Sequence, residues 1–129
     1  MSSAFLEHVN VTVSDPEATA KRLESWFGWK VRWKGASLGG GTTYHIGNET
    51  SYVAAYSPPG KTSKVAGDSY SHHGGLNHIA VVVDDIDATE AVIKADGYHT
   101  HNHGDYEPGR RFYFDDDDGI EFEVVSYTK

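Results

Sequence analysis

The chain has 129 residues, 19 acidic against 11 basic side chains for a formal charge of −8, no cysteine, eight histidines, and an aromatic complement of 3 Trp, 8 Tyr and 5 Phe. The missing thiols exclude disulfide frameworks, thiolate zinc sites, iron–sulfur clusters and cysteine nucleophiles, so any metal must be held by nitrogen and oxygen donors. Scattered Lys and Arg argue against nucleic acid. No stretch approaches the roughly 18 apolar residues of a membrane span, and MSSAFLEHVNV lacks the basic and apolar regions of a signal peptide. The expectation is therefore a cytoplasmic protein with neither nucleic-acid nor membrane partners, folded as one domain over 1–129 and burying about two-thirds of its unfolded surface.

The first element is strictly alternating, with Val9, Val11 and Val13 on one face and His8, Asn10 and Thr12 on the other, which predicts a two-faced strand. Asp15-Pro16 then offers an N-cap and a first-turn proline, and Ala20, Leu23 and Phe27 recur at helical spacing until Gly28. Three strand-like runs follow, at about 29–36, 41–47 and 51–57. Residues 58–74, SPPGKTSKVAGDSYSHH, read as a linker, because Pro58-Pro59 stops either helix or strand. The second half, about 75–127 against about 5–57 for the first, repeats the order. Ile79, Val81 and Val83 stand opposite His78, Ala80 and Val82, Asp85 precedes a helix through Ala91, Val92 and Ala95 that ends at Gly97, and runs at about 98–103, 110–115 and 120–127 follow.

The two halves are copies of each other. LEHVNVTVSDPEAT aligns without gaps on LNHIAVVVDDIDAT at an offset of 70, pairing His8 with His78, Asp15 with Asp85 and Thr19 with Thr89. At an offset of 69 the later part pairs Gly28 with Gly97, Tyr44 with Tyr113 and Asn48-Glu49 with Asp117-Asp118. Self-similarity of this kind marks a duplicated supersecondary unit. The predicted fold class is α+β, with two βαβββ half-domains forming a cupped mixed sheet.

Strand alternation also indicates where chemistry sits. With Val9, Val11 and Val13 turned to the helix, His8 points to the opposite side of its sheet, and the repeat sends His78 the same way. On the last strand Phe122 and Val124 form the helix-facing set, so Glu121, Glu123 and Val125 project with the histidines. Two imidazoles and one carboxylate with open coordination positions are typical of non-haem Fe(II) and compatible with Mn(II), Zn(II) or Ni(II). The bland alternative, a half-buried strand histidine with a satisfied hydrogen bond, is the usual fate of a lone His. The repeat weighs against it here.

The stretches LEHVNVTVSDPEAT, GLNHIAVVVDDIDAT and FYFDDDDGIEFEVVSY resemble the vicinal-oxygen-chelate superfamily, which includes glyoxalase I, bleomycin-resistance proteins, extradiol dioxygenases, methylmalonyl-CoA epimerase and fosfomycin-resistance thiol transferases. The resemblance covers essentially the whole chain. It implies one divalent metal ion, Fe(II) or Mn(II) before Zn(II) or Ni(II), held by His8, His78 and Glu123, with the fourth family position falling at Ala54, which cannot ligate. Glyoxalase-like and epimerase-like members carry Glu or Gln there, so the resemblance disfavours an isomerase that uses such a carboxylate as its base. It favours extradiol-dioxygenase-like chemistry on a small oxygen-chelating substrate, with a fosfomycin-type thiol transferase or glyoxalase-like lyase as the alternative. The transferase group has Thr where Asn10 stands. By the same resemblance Arg111 and Tyr113 face the cavity as candidate catalytic residues, Arg111 for a carboxylate or phosphonate and Tyr113 as a proton or hydrogen-bond donor. Asn10 and Tyr44 join them as substrate-binding candidates, and a homodimer is implied.

Rival signals are weaker. His101-x-His103 with Glu107 is the opening phrase of a cupin metal motif, but the upstream glycine spacing fails and no second motif follows, so it reads as an exposed histidine-rich strand or loop. His72-His73 reads as solvated, and Gly39-Gly40-Gly41 as a turn without the Lys-Ser/Thr of a phosphate loop. A metal-free small-molecule binding protein of the bleomycin-resistance type is the non-enzymatic alternative.

Overall fold

The structure is a computed structural model that describes residues 2–37, 39–107 and 109–128. Its elements run β1 (His8–Thr12), α1 (Pro16–Phe27), β2 (Lys30–Ala36), β3 (Thr42–Gly47) and β4 (Tyr52–Ser57). After a short 3-10 turn at Ser69–Ser71 come β5 (Ile79–Val82), α2 (Ile86–Ala95), β6 (Thr100–Tyr106), β7 (Gly109–Asp115) and β8 (Glu121–Ser126). The chain divides into two compact units, 1–63 and 64–129, with the boundary inside the expected linker. Each unit is βαβββ around a four-stranded sheet, in the order β1-β4-β3-β2 in the first and β5-β8-β7-β6 in the second. In both, the first and last strands of the unit pair in parallel and the rest antiparallel. The α+β class and the duplication are as the sequence predicts.

Local signals set the helix ends. The Asp15 carboxylate accepts a hydrogen bond from the Ala18 amide at 3.2 Å, Pro16 opens α1, and Gly28 closes it at φ 68°, a left-handed conformation that a Cβ would disfavour. Asp85 caps α2 in the same way through the Ala88 amide at 3.0 Å. In the first unit α1 buries Pro16, Thr19, Ala20, Leu23 and Trp26 against its own sheet, so Trp26 rather than Phe27 completes the buried face.

The second helix differs more from expectation. It buries Ile86 and Ile93, while Ala91, Val92 and Ala95 are exposed. At 100° per residue the two isoleucines lie about 20° apart, whereas Ala91 and Ala95 lie on roughly the opposite side. Burial rewards the larger apolar area. Beneath α2, Phe112, Phe114, Phe122 and Val124 are fully buried, and Phe114 stacks on Phe122 directly across β7 and β8 with centroids 5.4 Å apart. Each such side chain contributes about 2–3 kcal/mol by its burial. Helix and core thus occupy one face of each sheet, and the far face is left for other work.

Candidate functional site

In the second unit the far face carries Arg111 and Tyr113 from β7 and Glu123 from β8, with His78 immediately before β5. Glu123 sits opposite Ala80 on one side and Tyr113 on the other, so alternation turns it away from Phe122 and Val124. It is only 7% exposed. One of its oxygens lies 3.1 Å from His78 Nε2, and the other accepts a hydrogen bond from Arg111 Nη1 at 2.9 Å. Arg111 is fixed further by its Nη2 donating to the Gly109 carbonyl at 3.3 Å and by the Tyr106 ring, whose centroid lies 4.9 Å from the guanidinium carbon. The Tyr113 ring meets His78 edge-on at 5.7 Å. Burial first, then the charge of Glu123, holds the Tyr113 phenol above its ordinary pKa, so it remains a donor.

The other nitrogen of His78 is oriented by a residue that sequence reasoning assigned to the linker. Tyr70 Oη lies 3.5 Å from His78 Nδ1 and donates to Glu121 Oε1, itself 3.8 Å from that nitrogen. The hydrogen bond to Glu121, with burial and neighbouring negative charge, pushes the Tyr70 phenol up to about 12. The Asp68 side chain accepts from the Tyr70 amide at 2.9 Å, which makes the turn that presents the phenol. An Asp two residues before a tyrosine is a turn signal, but it does not say which sheet the ring will reach.

The far face of the first unit is aromatic. His8 stacks on Tyr52 at 4.8 Å, Tyr52 on His45 at 4.4 Å, and Trp33 lies 5.0 Å from His45. Arg32 sits over the Tyr52 ring at 4.5 Å. His8 Nδ1 lies 2.9 Å from Glu7 Oε1, which also accepts from the Tyr52 hydroxyl at 3.3 Å. With Nδ1–H donated to a carboxylate, Nε2 is left as a ligand atom, an arrangement usual for metal-binding histidines. Asn10 is exposed on the same face, opposite Ala54 in the register. Ala54 therefore holds in this sheet the place that Glu123 holds in the other.

Tyr44 is a correction. It pairs with Ala55 and so belongs to the helix face, where its hydroxyl reaches Glu17 of α1 at 3.4 Å and Lys34 lies over its ring. The far-face residue is its neighbour His45, paired with Ala54 as Tyr113 is with Glu123. The 69-residue offset is one too many for this strand, and a one-residue slip exchanges the faces of a sheet.

The histidine-rich phrase also divides. His103 Nε2 lies 2.6 Å from Glu90 of α2, on the helix side, while His101 stacks on Tyr113 on the far face. Among the described residues, the three-donor group whose ligating atoms all lie within 4.8 Å of one another is His101, Asp115 and Glu121. The donors of the second unit also meet a simple test for a shared ion. Two ligands about 2.1 Å from one ion at ordinary bond angles lie about 3.0–3.4 Å apart, and His78 Nε2 and Glu123 Oε1 are separated by 3.1 Å.

The family model described as the Glyoxalase/Bleomycin resistance protein/Dioxygenase superfamily matches residues 5–124. A glyoxylase/bleomycin resistance protein/dioxygenase domain from Frankia sp. EAN1pec superposes with a TM-score of 0.80 at 19% identity, over 97% of this chain and 98% of that one. The fosfomycin resistance protein FosX from Mesorhizobium loti has a TM-score of 0.71 at 26% identity, over 96% and 92%. A single-residue mutant of FosX from Listeria monocytogenes, complexed with Mn(II) and 1S,2S-dihydroxypropylphosphonic acid, gives 0.70 at 19% identity, over 96% and 93%. No curated protein matches the sequence.

Proposed function

Because the chain belongs to the Glyoxalase/Bleomycin resistance protein/Dioxygenase superfamily, we propose that it is a metal-dependent enzyme acting on a small substrate that chelates through two oxygens. The ion is held by His78 and Glu123, with His8 of the first repeat, from the same chain or a second copy in a homodimer, as third ligand. The observation that carries this reading is the 3.1 Å approach of His78 Nε2 to Glu123 Oε1, with His78 Nδ1 already facing Tyr70 and Glu121. Mn(II) and Fe(II) suit two imidazoles and a carboxylate, and such an ion, when bound, supplies Lewis acidity to a bidentate oxygen ligand.

The chain's own groups narrow the substrate. Arg111 brings a guanidinium to the site, suited to a phosphonate or carboxylate, and Tyr113 brings a phenol that stays protonated and can give a hydrogen bond or a proton to an oxygen that gains charge. An anionic electrophile opened by water or a thiol fits these groups better than the ring-cleaving oxygenation suggested by the three-ligand set. The 26% identity with a fosfomycin resistance protein supports the same choice.

The test is reconstitution of tag-free protein with Mn(II) or Fe(II) under anaerobic conditions. Epoxy-phosphonate and epoxy-carboxylate substrates are then offered with water or thiol, and catechols with oxygen. Metal-dependent consumption of the anionic epoxide is expected. Oxygen uptake with catechols would restore the oxygenase reading, and ligand binding unaffected by metal, without turnover, would make this a sequestering protein. Mixing inactive His8→Ala and Glu123→Ala chains distinguishes a shared site, which regains activity, from one within a single chain, which does not.

A further inference from the structure

Strand β6 carries an irregularity with a chemical consequence. Its pairing with β7 runs His101↔Tyr113 and then Gly104↔Arg111, so Asn102 and His103 together oppose Phe112 alone. Asn102 takes φ 54°, the left-handed conformation that asparagine tolerates better than most residues. Without this bulge His101 and His103 would share a face, as residues two apart do in a regular strand. The extra residue sends His103 to Glu90 on the helix side and leaves His101 on the far face.

On that face His101 meets Asp115 and Glu121, which stand directly opposite each other across β7 and β8. Like charges so placed repel. Among the described residues neither carboxylate forms a salt bridge with Lys or Arg. Glu121 accepts one hydrogen bond from Tyr70, but a carboxylate offers about four lone-pair sites, so capacity remains. The ligating atoms of the three residues lie within 4.8 Å of one another, and ligation at about 2.0–2.2 Å would draw them together by rotation of side chains that are exposed or half-buried.

We propose that His101, Asp115 and Glu121 form a second divalent-cation site, distinct from the His78–Glu123 pair. One imidazole and two carboxylates suit Zn(II) and similar borderline ions. The site ties β6, β7 and β8 together and neutralises the Asp115–Glu121 repulsion. It also touches the first site, because Glu121 and its partner Tyr70 face His78 Nδ1. Its residues all lie in the second unit, so the inference is independent of His8.

The experiment is Zn(II) stoichiometry by equilibrium dialysis and elemental analysis on the full, tag-free chain, with circular dichroism to verify folding. Two ions per chain are expected for the wild type. One is expected for His101→Ala and for Asp115→Asn, and one for His78→Ala. Because Asp115 is exposed, its isosteric replacement keeps the test meaningful even where His101→Ala fails to fold. Two ions retained by a folded His101→Ala or Asp115→Asn chain would overturn the proposal. A single wild-type ion lost with His78→Ala and kept with Asp115→Asn would overturn it while leaving the proposed function standing. A single ion with the reverse pattern would support this site and overturn the His78–Glu123 assignment.

Discussion

His45 occupies in the first sheet the position that Tyr113 occupies in the second. Each is the far-face residue directly opposite the site position of its last strand, His45 against Ala54 and Tyr113 against Glu123. With His8, Tyr52 and Trp33 around it, His45 lies on the same face as the proposed ligand His8, whereas Tyr44 lies on the helix face. Replacing His45 by Ala should raise KM or Kd for the substrate on the order of tenfold, equivalent to about 1.4 kcal/mol. Tyr44→Phe should leave binding unchanged, because the hydroxyl it removes makes only a 3.4 Å contact with Glu17. Titration of both variants by calorimetry checks the pair, and equal losses would return Tyr44 to the site.

The metal assignment predicts a stability readout. An ion bound only by the folded chain stabilises it by about 2.7 kcal/mol at a hundredfold excess over Kd. With Mn(II) or Fe(II), the part of that gain due to this site should disappear in His78→Ala and Glu123→Ala, leaving only what the His101–Asp115–Glu121 site contributes. It should persist in His103→Ala, whose ring is engaged with Glu90 on the helix side. Retention of the full gain in the first two variants would remove those residues from the ligand set.

Arg111 and Glu123 are an almost fully buried ion pair, with side chains 14% and 10% exposed. Removing one partner leaves a buried carboxylate with less compensation, at a cost of about 3 kcal/mol. Arg111→Ala should therefore destabilise the metal-free protein by about that amount in urea unfolding. The loss should be smaller when a cation is bound, because the cation supplies the missing positive charge. A metal-independent loss would indicate that Arg111 acts by packing alone.

Glu90 links stability to pH. Burial alone would raise its pKa, but hydrogen bonds from Thr100 and His103, with the positive charges of His103 and Lys94, overcome this and hold it below the ordinary glutamate value. A depressed carboxylate contributes stability above its unfolded pKa of about 4.3 and loses it as pH falls through the lower folded value. Glu90→Gln should thus melt below the wild type at pH 7, with the difference closing as the pH falls below about 4. A difference that is constant from pH 7 to pH 3 would show that the charge of Glu90 plays no part.

Sequence alone determined the elements and most of their faces. Alternation around Val9, Val81 and Val124 assigned the helix side of β1, β5 and β8, because each of these strands is regular and one face must be buried. Asp15, Pro16 and Gly28 bounded α1 through local backbone chemistry that needs no distant partner. Tertiary structure decided what depended on pairing between strands or on reach across the fold. The face of β3 follows from its register with β4, and a period of two makes a one-residue error exchange Tyr44 for His45. The separation of His101 from His103 follows from a bulge defined only against β7, and the side chain of Tyr70 finds Glu121 across 51 residues of sequence. Neither alternation nor turn chemistry carries that information, because both are properties of a segment, whereas register and reach are properties of the contact between segments.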